Sequence, residues 1–167
     1  HYYEQPGWFV NHQDYYDSYD RQQPKVYLGE YASRGKDALD NALAEGIHLC
    51  NVERNGDVVE MASYAPLLSK DGYSNWSPDM IYFNNNKVRA SQSYEVQKMF
   101  SVHAGDNYVE SKLDLPASLR RYVGISVVKD SKSGKTWLKV VNALPCKLKL
   151  KLSGLSHQEI AIDARKY

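Results

Sequence analysis

The sequence predicts an α/β segment followed by an all-β segment, and two observations carry that reading. Residues 25 to 64 form one strand, helix, strand unit of about the length that a parallel crossover requires. After Gly105 the pattern changes to short β-rich runs separated by turn residues, the mark of an antiparallel domain. The boundary is expected near residues 105 to 112, dividing the chain into residues 1–105 and 106–167.

In chain order, residues 8 to 20 mix aromatic and acidic residues, with Phe9, Tyr16 and Tyr19 near helical spacing, and predict a helix that Pro24 ends from beyond. Residues 25 to 31, bounded by Pro24 and by Ser33 to Gly35, read as a buried strand rich in Val, Tyr and Leu. Asp37 is the expected cap of the next helix. There Leu39, Ala42, Leu43, Ile47 and Cys50 recur at three- and four-residue steps until Asn55-Gly56 offers a left-handed stop. Residues 58 to 64 predict a second strand, and residues 65 to 91, with Pro66, Gly72, Pro78 and three consecutive asparagines, predict a long loop. Loops of that length inside compact domains are usually functional. Residues 92 to 103 predict a helix stopped by Gly105. Strands are expected over 122–129, 136–143, 147–152 and 158–163, with residues 130–135 as a hairpin loop. In 147–152, alternating Lys and Leu reads as a half-solvated strand whose lysines discourage edge pairing, in preference to a polyanion-binding stripe.

Composition narrows the function. With 43% hydrophobic and 25% charged residues the chain has the makings of a real core, and a net charge of +1 provides no global field for nucleic acid or membrane. No stretch approaches the roughly 20 apolar residues of a bilayer span. Cys50 and Cys146 are far apart and the five histidines are scattered, so neither a metal nor a redox cofactor is expected in the chemistry. The residue that stands out is Glu30, at the carboxyl end of a hydrophobic strand. In a parallel α/β barrel that end faces the active site, and a carboxylate there reads as catalytic; taken alone, the pattern equally allows an ion pair with a nearby Arg.

Several motifs in order carry a resemblance: His1-Tyr2-Tyr3, Trp8-Phe9, Tyr19-Asp20-Arg21, Pro24-Lys25-Val26-Tyr27, Gly29-Glu30-Tyr31-Ala32, Glu53-Arg54-Asn55, Met61-Ala62-Ser63-Tyr64-Ala65-Pro66 and Trp76-Ser77-Pro78-Asp79. Together they resemble the C-terminal half of α-L-arabinofuranosidases of glycoside hydrolase family 51, from residue 1 to about 110 and more weakly through residues 139–142. The resemblance implies the last strand-helix units of a (β/α)8 barrel followed by an antiparallel β-sandwich, with residues 1–3, 25–31 and 58–64 as the sixth, seventh and eighth barrel strands. It implies that Glu30 is the nucleophile of a retaining glycosidase acting on arabinan or arabinoxylan. The acid/base partner, in an Asn-Glu pair on the fourth strand, lies outside this chain. Glu4, Glu53 and Glu60 match no motif that would replace it.

The resemblance also makes His1 and Tyr3 sugar-pocket residues, with the tyrosine hydroxyl holding the nucleophile; Tyr2 is the weaker candidate. Trp76 and Asp79 lie on the long loop after the eighth strand, where the indole either stacks on a furanose ring or plugs its own core. Further implications are a secreted or periplasmic location, an arabinose-containing polysaccharide as partner, and association with the missing barrel segment or a second copy to cover open strand edges. The alternative is a non-catalytic carbohydrate-binding or structural module.

Overall fold

In the computed structural model, residues 2–35, 38–154 and 161–162 are described. His1 and the expected cap Asp37 lie outside them, as does most of the expected strand at 158–163.

The first sheet is parallel, with strands β1 (Tyr2–Glu4), β2 (Val26–Ser33) and β3 (Val59–Tyr64) in that order. Between β1 and β2 runs the short helix α1 (Pro6–Asn11), with Pro6 in its first turn. The expected helix over 8–20 is thus only partly formed. From His12 onward the backbone makes three-residue turns, such as Tyr15 N–H to His12 O and Asp17 N–H to Asp14 O. The reason lies in Asp14, Asp17 and Asp20, which favour turns over helix interior. Asp17 is further drawn to Asn51, Arg54 and Asn55.

Helix α2 (Ala38–Arg54) crosses from β2 to β3 and is longer than its apolar repeat suggests. Asn55 at its end donates its side-chain amide back to Asn51 O at 3.0 Å, and Gly56 is not among the glycines with positive φ, so it does not supply a left-handed stop. The helix is buried on several sides. Phe9, Leu28, Tyr31, Ala44, Ile47, Leu49 and Cys50 form one apolar core with Phe100 of the later helix.

Residues 65–91, expected to be loop, contain three strands of three residues each: β4 (Leu68–Lys70), β5 (Ile81–Phe83) and β6 (Val88–Ala90). Strand β4 pairs with β5 in parallel and β5 with β6 antiparallel. Such short strands leave no alternation long enough to register in sequence. Helix α3 (Gln92–Val102) follows, capped by Ser91 Oγ accepting from Tyr94 N–H at 3.1 Å.

The third sheet is antiparallel, with β7 (Asn107–Tyr108), β8 (Val123–Lys129) and β9 (Thr136–Asn142); the four-residue helix α4 (Ala117–Arg120) lies between β7 and β8. The β8–β9 turn at 130–135 closes as expected, with Gly134 at φ +73°. Residues 147–152 form no strand: no neighbouring strand lies beside them among the described residues, and alternation fixes a strand only where a ladder partner exists. One antiparallel sheet, rather than two facing sheets, is found beyond residue 105 among the described residues.

The β8–β9 hairpin packs directly on α2. A Cβ on Gly124 would lie 3.1 Å from both Cys50 Sγ and Ile47 Cα, and one on Gly46 would lie 3.1 Å from Val141. Beside this contact Glu53 of α2 accepts from Ser126 Oγ at 2.5 Å and pairs with Lys139. Glu53 is thereby committed to the helix–hairpin seam.

Two expectations follow. Because the atoms facing Gly124 include helix backbone, Gly124→Val overpacks the seam and should destabilise the fold by about 1–3 kcal/mol in chemical denaturation; an unchanged midpoint would mean that hairpin and helix do not pack in this way. The second concerns Glu45 of α2, fully buried, with Oε1 accepting the Ser33 amide at 2.9 Å. Burial pushes its carboxyl pKa up to about 7, against partial opposition from Ser93, Ser33 and Tyr64. The unfolded chain loses this proton near 4.5, so the stability contribution is full below that pH, falls as pH rises to about 7, and is level above. Glu45→Gln removes the penalty, and its stability relative to the native sequence should rise by about 3 kcal/mol between pH 4.5 and 7.5. A difference independent of pH would contradict the assignment.

Candidate active site

The site is built on the carboxyl ends of β1 and β2. Tyr2 pairs with Tyr31, Tyr3 with Ala32 and Glu4 with Ser33. Since successive strand residues point to opposite faces, Tyr2 and Tyr3 part company. Tyr2 turns to the α2 side, where its ring lies 5.2 Å from Trp8 and its hydroxyl accepts from Tyr16 at 3.4 Å. Tyr3 takes the other face, where its hydroxyl donates to Glu30 Oε2 at 2.5 Å.

Glu30 reaches that face through an irregularity in β2. Leu28 pairs with Ala62 and Tyr31 with Tyr64, so β2 spends one more residue than β3 over this stretch; an opposite shift between Val26 and Tyr27 restores the register. The extra residue is a bulge, which re-aims side chains. Leu28 and Tyr31 both enter the core against α2, and Glu30 between them faces Tyr3. Gly29 within the bulge leaves Glu30's neighbour without a side chain; a Cβ there would lie 3.6 Å from the Tyr27 ring.

Burial, then the hydrogen bond to Glu30 and the negative charge there, push the Tyr3 phenol up to about 12. Tyr3 accordingly keeps its proton at neutral pH and remains a donor to the carboxylate.

Trp76 lies against this pair. Its ring is 5.1 Å from that of Tyr3 at 70°, and the Arg34 guanidinium covers it at 5.1 Å. Arg34 also donates from its backbone N–H to Glu4 O at 2.7 Å and from Nε to Tyr3 O at 3.1 Å. It therefore ties the end of β2 to the end of β1 and to the Trp76 loop. In sequence Arg34 signals only a turn; its sole hint is a cation one residue beyond a strand bearing a carboxylate. Trp76 is half-buried, with Nε1 buried and unpartnered among the described residues.

Asp79 is fully buried beneath the loop instead of lining the open face. Its amide donates to the Tyr82 hydroxyl at 2.8 Å and Oδ2 accepts from Ser74 Oγ at 3.3 Å. These bonds fold the segment that presents Trp76. The structure thus brings Tyr3, Glu30, Arg34 and Trp76 together, and keeps Asp79 behind them.

The other carboxylates considered are placed elsewhere. Glu53 serves the α2–hairpin seam, Glu4 points away from Tyr3 by strand alternation, and Glu60 is exposed near the amino end of β3.

Comparison with known proteins bears on this arrangement. The family described as Alpha-L-arabinofuranosidase C-terminal domain matches residues 13–165. An extracellular exo-alpha-L-arabinofuranosidase of Streptomyces chartreusis is 48% identical over 130 residues, covering 75% of this chain and 16% of that protein. Alpha-L-arabinofuranosidase 1 of Arabidopsis thaliana is 41% identical over 102 residues, covering 59% of this chain and 15% of its own length. Among solved structures, an arabinose-bound GH51 α-L-arabinofuranosidase superposes with a TM-score of 0.75 at 32% identity, over 85% of this chain and 25% of that one. An arabinose complex of the Thermotoga maritima α-L-arabinofuranosidase, 14% identical, shares the fold with a TM-score of 0.59 over 80% of this chain and 31% of that one. This chain thus spans a minor part of each of these relatives, and on the profile match and the shared identity it belongs to the alpha-L-arabinofuranosidase C-terminal domain family.

Proposed function

We propose that this chain supplies the nucleophilic half of a retaining α-L-arabinofuranosidase, with Glu30 as nucleophile and Tyr3 as the group that orients it. The observation that carries the reading is the 2.5 Å bond from the Tyr3 hydroxyl to Glu30 Oε2 at the carboxyl end of a parallel sheet. A phenol donating to one oxygen of a carboxylate fixes the orientation of the group and keeps its charge in place. In the first step a Glu30 oxygen forms a bond to the anomeric carbon as the glycosidic C–O bond breaks, and a carboxylic acid protonates the departing oxygen. In the second step that same acid, now a base, takes a proton from water, whose oxygen replaces Glu30 on the anomeric carbon.

Retaining chemistry needs the two carboxyl groups about 5 Å apart. Glu4, Glu53 and Glu60 are turned away or engaged as described, and we assign the acid/base to a part of the polypeptide outside this chain. On this reading β1, β2 and β3 are the sixth to eighth strands of a (β/α)8 barrel, and the antiparallel sheet beyond residues 105–112 belongs to a β-sandwich. The exposed Tyr27 and Met61 would then face the barrel interior, covered by the strands that complete it or by another chain. Trp76 forms one wall of the sugar pocket, braced by Arg34, and the substrate is an arabinosyl-bearing polysaccharide such as arabinan or arabinoxylan. The name of the Streptomyces relative supports secretion.

Two measurements test this. In the complete enzyme, Glu30→Ala should reduce turnover of an aryl α-L-arabinofuranoside to background, while Tyr3→Phe, removing one hydrogen bond to a charged group, should lower kcat by about 10- to 100-fold. Retained turnover in Glu30→Ala would sink the assignment. The isolated 167-residue chain should show no appreciable turnover, because general acid assistance alone contributes about 10² to 10⁴ in rate; substantial activity would mean that an acid/base is present within it.

A further inference from the structure

The chemistry proposed above uses Arg34 only as a brace for Trp76, yet the contacts of Arg34 converge on Tyr3. Its backbone N–H donates to Glu4 O at 2.7 Å and its Nε donates to Tyr3 O at 3.1 Å, so one residue holds the carbonyls of two consecutive residues at the end of β1. Its guanidinium also covers the Trp76 indole at 5.1 Å, and that indole meets the Tyr3 ring edge-on at 5.1 Å. Arg34, Trp76 and Tyr3 thus close a triangle of contacts. Tyr3 is fixed at its main chain by Arg34, at its ring by Trp76 and at its hydroxyl by Glu30.

This clamp starts from a fixed backbone. Before Arg34, the Ser33 amide donates to Glu45 Oε1 at 2.9 Å and the Ser33 hydroxyl donates to Asn41 Oδ1 at 3.0 Å. After it, Gly35 O accepts from Asn41 Nδ2 at 3.2 Å, and a Cβ on Gly35 would lie 2.9 Å from Asn41 Oδ1 and 3.3 Å from Pro6. Both neighbours of Arg34 are therefore anchored to α2 through side chains that are themselves buried. Arg34 is exposed, so its contacts do not serve to fill a core. An arginine suits both of its tasks, since a guanidinium donates in its plane while its face rests on an aromatic ring, which a lysine ammonium does not reproduce.

We propose that Arg34 is a positioning residue for the nucleophile and acts through Tyr3, setting the place from which the phenol reaches Glu30, with Trp76 as the second arm of the clamp. The inference rests on the glycosidase reading above, and it adds to that site a residue that takes no part in bond making. The geometry it protects is narrow. The Tyr3–Glu30 bond is 2.5 Å long, and misplacement of a reacting group by about 1 Å can cost about 100-fold in rate.

The test is a double-mutant cycle in the complete enzyme, with Arg34→Met and Arg34→Lys each made in the native and Tyr3→Phe backgrounds. Turnover of an aryl α-L-arabinofuranoside gives kcat and KM for each, and thermal denaturation gives Tm. Because Arg34 is exposed, its truncation leaves no buried cavity and Tm should move little. Arg34→Met should lower kcat about tenfold, by more than any rise in KM, and Arg34→Lys should lose less, because the ammonium keeps the charge without the fork. In the Tyr3→Phe background the hydroxyl being positioned is gone, and either substitution should cost less than about twofold further. A purely structural role would instead lower Tm and give the same loss of kcat in both backgrounds. Unchanged kcat in Arg34→Met, or losses that add to that of Tyr3→Phe, would overturn the proposal. The glycosidase reading fails separately: full turnover in Glu30→Ala sinks it whatever Arg34 does, whereas loss in Glu30→Ala with full kcat in Arg34→Met overturns only the role of Arg34.

Discussion

The change of side-chain direction inside β2 is the constraint on which the site depends. A regular strand that sent Leu28 into the core against α2 would send Glu30 there too and Tyr31 to the opposite face. The extra residue at the bulge reverses this, so that an apolar side chain and a tyrosine bury against the helix while the carboxylate between them meets Tyr3. The compensating shift near Val26 keeps the two ends of β2 and β3 aligned, which confines the distortion to the stretch that bears Glu30. Parallel pairing with β1 then sets the height of Tyr3 relative to Glu30.

Such a distortion needs a firm backing, and α2 provides it. On the helix side, Tyr31 is fully buried with its hydroxyl donating to Gln97 of α3 at 2.7 Å, and its ring lies 5.9 Å from Tyr64. Just beyond the bulge, the Ser33 amide is held by Glu45 and the Ser33 hydroxyl meets Asn41 at 3.0 Å. His48 fills the space below, ringed by Phe9 and Tyr31 at 5.2 and 5.3 Å; its burial lowers the imidazole pKa to about 4 and keeps it neutral. Polar groups are thus used on the concealed face of the strand to fix backbone, while the open face carries the proposed chemistry. The hairpin β8–β9 closes the far side of the helix through Gly46, Gly124 and the Glu53–Lys139 pair, and it also meets α3, where Lys139 lies over the Phe100 ring at 4.9 Å.

What the sequence made legible were features with long periods or strong punctuation. The strands around 25–31 and 58–64, the helix between them and the 122–129 and 136–143 hairpin were all readable, because each carries an apolar pattern over many residues and ends at Pro, Gly or Asn. Glu30 was expected at the carboxyl end of a strand closing at residue 31; the strand runs on to Ser33, so Glu30 stands three residues before its end. The bulge that aims it was not readable, since Leu28-Gly29-Glu30-Tyr31 spells no alternation from which its parity could be taken. Lys147 to Leu152 failed in the opposite sense: its alternation is regular, but a strand requires a neighbour, and the pattern of one segment says nothing of whether its partner is there. Arg34 depends on contacts with Tyr3 and Trp76, each more than thirty residues away, which local spacing does not encode; Asp79 is engaged by the nearby Ser74 and Tyr82, in a segment whose pattern gives no sign of burial.

The most direct measurement is the identity of the carboxylate that becomes covalently attached to sugar. The complete enzyme would be treated with an activated fluorinated α-L-arabinofuranoside whose glycosyl-enzyme turns over slowly, then digested and the labelled peptide located by mass. Attachment at Glu30 is the outcome this account predicts, with labelling maintained in Glu53→Gln and lost in Glu30→Gln. A label on any other carboxylate, or hydrolysis with inverted anomeric configuration and no covalent species, would contradict it.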